Sequence, residues 1–232
     1  MKRRCGRPSP GVIATLFDFD GVLVDSEPIH LAAFNDVLRP LGRTIDSRIY
    51  VERYLSLDDA GVFRAVLGSP AQPIPDTALA RLIETKSTRV MTRLADHVPA
   101  YAGASELVVR RATRGPVGIV SGALGREVEF ALEQMGLRNV VGFIVSAEST
   151  AVSKPDPAPY RAAIEELRRR DHHGDVIAIE DSIGGIRSAK GAGLRCVAVA
   201  HTYEPSALSG AGADAVAPDL ATLSDAWIEN GP

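Results

Sequence analysis

The sequence is poor in cysteine, with only Cys5 and Cys196 among 232 residues and no C-x-x-C pair. That scarcity excludes a disulfide framework and a thiolate zinc site. Cys5 reads as a tail thiol and Cys196 as a buried strand thiol. No run of about 18 apolar residues occurs, so no membrane-spanning helix is expected. The basic opening MKRRCGRPSPG runs into Pro and Gly where a secretory signal would place its apolar region. The expectation is a soluble cytoplasmic protein with a frayed N-terminus. The chain also lacks any basic excess: its net charge is −3, with Lys and Arg dispersed among acidic residues. Nothing there provides an electrostatic footprint for nucleic acid. The expected partner is a small diffusible molecule, and with no obvious exposed apolar stripe the expected state is a monomer. Internal repeats and low-complexity tracts are absent as well.

What is present is an alternation. Apolar runs rich in β-branched residues recur at Val12–Phe17, Val117–Val120, Phe143–Val145, Val176–Ile179 and Cys196–Ala200, most of them separated by helical patterns. This predicts an α/β fold, a three-layer Rossmann-like core whose mostly parallel sheet carries helices on both faces. From about Glu27 to Val98 the rhythm breaks. Helical spacing runs from Pro28 to Leu41, with Gly42 as a stop; Ser56 is a candidate cap for a second helix ending near Gly68. Pro70, Pro73 and Pro75 make a stiff link, and a long amphipathic helix is predicted from Asp76 to His97. Residues 27–97 therefore read as a helical insert, with 1–26 and 98–232 forming the core.

The chemistry collects at predicted strand ends. Leu16-Phe17-Asp18-Phe19-Asp20-Gly21 puts two carboxylates where an apolar strand stops, costly to bury unless something neutralises them. In open α/β sheets ligands gather at such ends, although Asp-Gly also favours a plain turn. Val120 leads into Ser121-Gly122, a hydroxyl and a bare backbone suited to phosphate oxygens or to ordinary helix capping. Ser153-Lys154-Pro155-Asp156-Pro157 offers a cation on a proline-stiffened loop, or a solvated surface lysine. Ile179 leads into Glu180-Asp181-Ser182, a second acidic pair that a hard divalent cation such as Mg²⁺ would explain.

Taken together, these four segments resemble the haloacid dehalogenase superfamily, whose motifs occur in this order and at these element ends. The resemblance runs from about Val12 to Trp227 and includes a helical cap inserted after the first motif. D-x-D-G-V-x-x-D-S-E-P, S-G-A, K-P-D-P and E-D-S-x-x-G-I are similar to its beta-phosphoglucomutase and sugar-phosphatase branch. The resemblance implies Asp18 as a nucleophile that forms an aspartyl-phosphate and Asp20 as the acid/base. It implies Ser121, Gly122 and Lys154 as phosphate-binding groups. Mg²⁺ would be held by Asp18, by Asp20 through its backbone carbonyl, and by Asp181, with Glu180 a ligand or water-mediated partner. Asp20 argues against a dehalogenase, which lacks the second Asp.

The stretch Tyr54–Gly61 lacks the mutase pattern Arg-x-x-Ser, although Arg53-Tyr54-Leu55-Ser56 carries that spacing from one residue earlier; the expectation is a phosphatase over a phosphomutase able to shield its intermediate from water. His30 and Lys86 fall where the mutase has substrate-facing cap groups; their plain readings are a half-buried helix residue and a solvated face. Glu27 could gate the cap or support the helix start. A non-catalytic phospho-metabolite-binding protein would need neither Asp18 nor Asp20. His172-His173 reads as a surface pair, and Trp227 as packing the C-terminal segment onto the core.

Overall fold

The computed structural model describes residues 12–55, 57–69 and 72–231. Cys5 with the basic opening, Ser56 and Pro70 lie outside these residues. Six strands form one parallel sheet: β1 (Ala14–Phe17), β2 (Val117–Val120), β3 (Phe143–Val145), β4 (Val176–Glu180), β5 (Arg195–Val199) and β6 (Ala215–Ala217), in the order β3-β2-β1-β4-β5-β6. β1 is therefore central, flanked by β2 and β4. The sixth strand was not anticipated: Ala215-Val216-Ala217 is too short and too poor in bulky residues to read as a strand alone, and it becomes one by pairing with β5.

The side-chain alternation of the central strands sorts residues onto two faces. Phe17, Ile177, Ile179, Val197 and Val199 face one apolar cluster, with Leu107 and Val108 of α5 (Ala104–Ala112) and Val128, Ala131 and Leu132 of α6 (Gly125–Gln134). Leu16, Ala178, Cys196 and Ala198 face the other. There the small side chains of β4 and β5 admit Tyr160 and Leu167 of α7 (Ala158–Arg169), Ile186 of α8 (Ile183–Gly191) and Leu208 of α9 (Pro205–Gly210). Cys196 is buried there as a free thiol.

The last helix, α10 (Asp225–Asn230), is fastened by Arg111 of α5. Arg111 is completely buried and donates to Thr15 at 3.0 Å, Asp225 at 3.1 Å and Glu229 at 2.7 Å. Trp227 packs half-buried on the first cluster. The histidine pair divides: His173 is exposed, but His172 is buried with Nε2 3.2 Å from the Asp175 carbonyl, so only one of the two is a surface residue.

Between β1 and α5 lie α1 (Glu27–Leu38), α2 (Ser47–Arg53), α3 (Asp59–Leu67) and α4 (Asp76–Asp96). α1 ends earlier than its apolar spacing predicts, because a 3₁₀ turn takes over at Arg39–Leu41, where Pro40 cannot donate a helix hydrogen bond, and Gly42 follows at φ 70°. Asp58 caps α3 by accepting from the Gly61 N–H at 2.7 Å. These helices share their own apolar cluster of Phe34, Val37, Leu38, Ile45, Tyr50, Val62, Phe63 and Leu79. Among the described residues no helix is long and apolar enough to cross a membrane.

Candidate active site

The carboxyl ends of β1, β2 and β4 meet under α1–α3, and the cleft between them is lined by Asp18, Asp20, Ser121, Gly122, Lys154 and Asp181 from below and by Glu27, His30, Tyr50, Asp58 and Asp59 from above. The Lys154 ammonium ties the three strands together. It donates to Asp18 Oδ1 at 2.8 Å, to the Val120 carbonyl at 2.9 Å and to Glu180 Oε1 at 2.7 Å, which uses all three of its N–H groups. These two carboxylates hold the Lys154 pKa above its ordinary value against the opposing effect of burial. Tyr160 adds a second bond to Glu180 Oε1 at 2.7 Å, and Ser182 donates to Oε2 at 3.2 Å.

Asp18, Glu180 and Asp181 each offer an oxygen within 4.8 Å of the others, and all three are buried. Burial pushes the carboxyls of Asp18 and Asp181 well above the usual carboxylate range, and mutual repulsion with Glu180 adds to it. Lys154 offsets only part of this for Asp18. An excess of buried anionic oxygen with one ammonium beside it fits a hard divalent cation. Two glycines make the crowding possible. Gly21 has φ +79°, and a Cβ there would lie 2.1 Å from Asp181 Oδ2; a Cβ on Gly185 would lie 2.0 Å from the Glu180 carboxylate.

Asp20 faces away from this cluster. It accepts from Ser121 Oγ at 3.0 Å and from Ser26, whose hydroxyl turns to Asp20 instead of capping α1. His30 Nε2 lies 3.4 Å from its Oδ1. Burial opposes the charged form, but His30, Ser26 and Ser121 outweigh it and hold the carboxyl down to about 2. His30 is fixed in turn, with Nδ1 2.6 Å from Lys86 Nζ, which also donates to Asp59 Oδ1 at 2.7 Å. With Lys86 donating to Nδ1, the proton of neutral His30 sits on Nε2 and points at Asp20. Against the opposing effects of burial and of Lys86, Asp20 moves the His30 pKa up, yet a second proton would have to share Nδ1 with the Lys86 donor. Lys86 is fully buried and does not line the cleft, so the solvated-face reading fails: its ammonium lies 4.9 Å from the centre of the Phe34 ring and is met by His30 and Asp59 inside the helical layer. Glu27 accepts from the Tyr50 hydroxyl at 2.7 Å, and burial raises its carboxyl.

Several neighbours escaped sequence reasoning. Ser26 lay inside a motif but carried no sign of its partner. Thr202 donates to Asp181, and His201 Nδ1 sits 2.8 Å from the Gly21 carbonyl, its ring stacked 3.9 Å from Tyr101. Both follow β5, so the rule that strand ends gather ligands was the available signal. For Tyr160, Asp58 and Asp59 no local signal existed.

The chain has known relatives. A family model described as haloacid dehalogenase-like hydrolase matches residues 15–199. Validoxylamine A 7'-phosphate phosphatase of Streptomyces hygroscopicus subsp. limoneus is 29% identical, covering 94% of this chain and 97% of that protein. Phosphoglycolate phosphatase of Rhodospirillum rubrum is 32% identical over 93% and 90% of the two chains. The crystal structure of a CbbY variant from Rhodobacter sphaeroides in complex with xylulose-(1,5)bisphosphate superposes with a TM-score of 0.77 at 26% identity, covering 91% of this chain and 96% of that one. With a match that spans the sheet from β1 to β5 and a relative above 30% identity over nearly the full length, this chain belongs to the haloacid dehalogenase-like hydrolases.

Proposed function

We propose that this protein is a Mg²⁺-dependent phosphatase that hydrolyses a small phosphorylated metabolite, a sugar phosphate in the first instance, through an aspartyl-phosphate on Asp18. The observation that carries the reading is the division of labour between two acids a residue apart. Asp18 is held in a buried anionic cluster against Lys154, while Asp20 is held separately by Ser26, Ser121 and His30. Relatives named as phosphatases support the same class of reaction.

In this mechanism an Asp18 oxygen attacks phosphorus, the P–O ester bond breaks, and Asp20 gives its proton to the departing alkoxide. Asp20 then takes a proton from water as that water attacks phosphorus, which frees Asp18 and releases inorganic phosphate. Held down to about 2, Asp20 is ionised in the free enzyme, the form required of the base; to act first as the acid it must take up a proton as substrate binds. Ser121, the Gly122 backbone and Lys154 would hold phosphoryl oxygens, which asks Lys154 to exchange one carboxylate partner for substrate. Mg²⁺ held by Asp18, Asp181 and the Asp20 carbonyl, with Glu180 as ligand or outer partner, would neutralise the charge that otherwise repels a phosphate from a carboxylate.

Residues 27–97 act as the cap, and 1–26 with 98–232 as the catalytic core. The separate apolar cluster of α1–α4 supports that division. The protein is taken to work as a cytoplasmic monomer.

Release of phosphate from a metabolite panel, measured with Mg²⁺ and with EDTA, tests the proposal. Release that EDTA abolishes is expected; none from any compound, p-nitrophenyl phosphate included, would favour a binding protein. Efficient conversion of beta-glucose 1-phosphate plus its bisphosphate to glucose 6-phosphate, with little free phosphate, would favour the mutase.

A further inference from the structure

The upper half of the cleft differs in charge from the lower half. Glu27, Asp58 and Asp59 line it beside Tyr50, His30 and the apolar Phe34, Leu55 and Leu57, and among the described lining residues no lysine or arginine comes from α1–α4. Lys86 is fully buried, with its ammonium given to His30 and Asp59. Of the six arginines of these helices, Arg48 pairs with Glu52, Arg64 with Asp76 and Arg93 with Asp36, while Arg53, Arg81 and Arg89 are exposed; none of the six lines the cleft. The only lysine or arginine among the described lining residues is Lys154, at the floor and committed to the nucleophile.

The acids of the upper wall are held in place. Asp58 is fixed by the α3 amide and by Ser153 Oγ at 3.1 Å, and Glu27 by Tyr50. Asp59 Oδ1 accepts from Lys86, but its Oδ2 is buried without any hydrogen-bond partner. A buried carboxylate oxygen with no donor is costly unless a ligand supplies one. The wall thus presents acceptors and negative charge, which attract hydroxyl or ammonium donors and repel a second anion.

We infer that this wall selects a monophosphate whose remaining part carries hydroxyl or ammonium donors and no second anionic group, so that bisphosphates and phosphocarboxylates are poor substrates. The inference rests on the phosphatase reading and names its substrate class. A polyol or amino-sugar monophosphate satisfies the wall. A sugar bisphosphate, as bound in the CbbY complex, or phosphoglycolate would bring its second charge against three carboxylates.

The test uses hydrolysis of p-nitrophenyl phosphate with Mg²⁺ as the signal and each metabolite as competitor, so that binding is ranked whether or not the competitor is turned over. Sorbitol 6-phosphate, glucose 6-phosphate and glucosamine 6-phosphate should compete at least about tenfold better than fructose 1,6-bisphosphate and 2-phosphoglycolate, a ratio that unit charges a few ångströms apart in a partly wet cleft can produce. Asp58→Asn, which keeps a competent helix cap, and Asp59→Asn should each narrow that ratio by roughly threefold or more. Equal or tighter binding of either dianionic competitor class, or a ratio unmoved in both variants, would overturn the inference while leaving the phosphatase reading intact. Failure to hydrolyse p-nitrophenyl phosphate or any metabolite would instead overturn the phosphatase reading, and the inference with it.

Discussion

The sheet and the helical cover meet at one cleft but hold their polar groups by different means. Below, Asp18, Glu180 and Asp181 leave the ends of adjacent parallel strands, and their positions follow from strand pairing and from one lysine that spans three strands. Above, His30, Lys86 and Asp59 come from three helices, and their mutual bonds inside a separately packed layer, with the His30–Asp20 contact, set their positions. The lower set is rigid because a backbone ladder fixes it. The upper set is adjustable, since changing it disturbs no strand. A fold of this kind can keep one reaction and vary its substrate. The two halves touch through few polar contacts: His30 with Asp20, Asp58 with Ser153, and Arg126 of α6 with Glu84 at 2.7 Å and Ser87 at 2.9 Å.

The comparison breaks most visibly if the lower half is dispensable. Asp18→Asn should lower kcat by about 10⁴-fold or more, the scale seen when a nucleophile is removed, with an unchanged circular dichroism spectrum. Turnover near wild type would remove Asp18 from the mechanism. Asp20→Asn should lower kcat by about 10²–10⁴-fold, the usual worth of a positioned acid/base. A smaller loss with a poor leaving group than with p-nitrophenol would contradict the proton-donor role.

The upper half should answer in stability. Lys86→Met leaves Asp59 buried beside an apolar group and should destabilise the protein by about 3 kcal/mol, the typical result of breaking a buried pair from one side. Urea unfolding measures this, and a midpoint equal to wild type would show that the pair is not needed to hold the cover.

The smallest effect belongs to the anchor of α10. Burial works against a charged Glu229, but bonds from Arg114 and Arg111 outweigh it and hold its carboxyl below 4.5; Asp225 is likewise held below 3.8 by Arg111 and Arg110. A depressed carboxyl stabilises the fold fully above its unfolded pKa and loses that contribution as pH falls through the folded one. Wild type should therefore lose stability below about pH 4.5 more steeply than Glu229→Gln. Parallel curves from pH 5 to pH 3 would exclude this linkage.

Much of the molecule was legible beforehand, in a particular way. Apolar runs and helical spacing reported local backbone periodicity, so five of the six strands and the long α4 could be read directly. β6 could not, because three small residues become a strand only against β5. On the lower side of the site, acids and a lysine at the ends of readable strands pointed to one place. On the upper side, Lys86 looked like a solvent-facing lysine because amphipathic spacing does not reveal what a neighbouring helix offers.

By itself the sequence determined which elements form and that Asp18, Asp20, Ser121, Lys154, Glu180 and Asp181 end or follow strands of one sheet. The tertiary structure alone decided that Lys154 would reach Asp18 across 136 positions, that Lys86 would give its charge to His30 from 56 positions away, and that the upper wall would be acidic. The reason is that local pattern encodes backbone period and burial, while partners for buried charge are set by packing between segments distant in the chain.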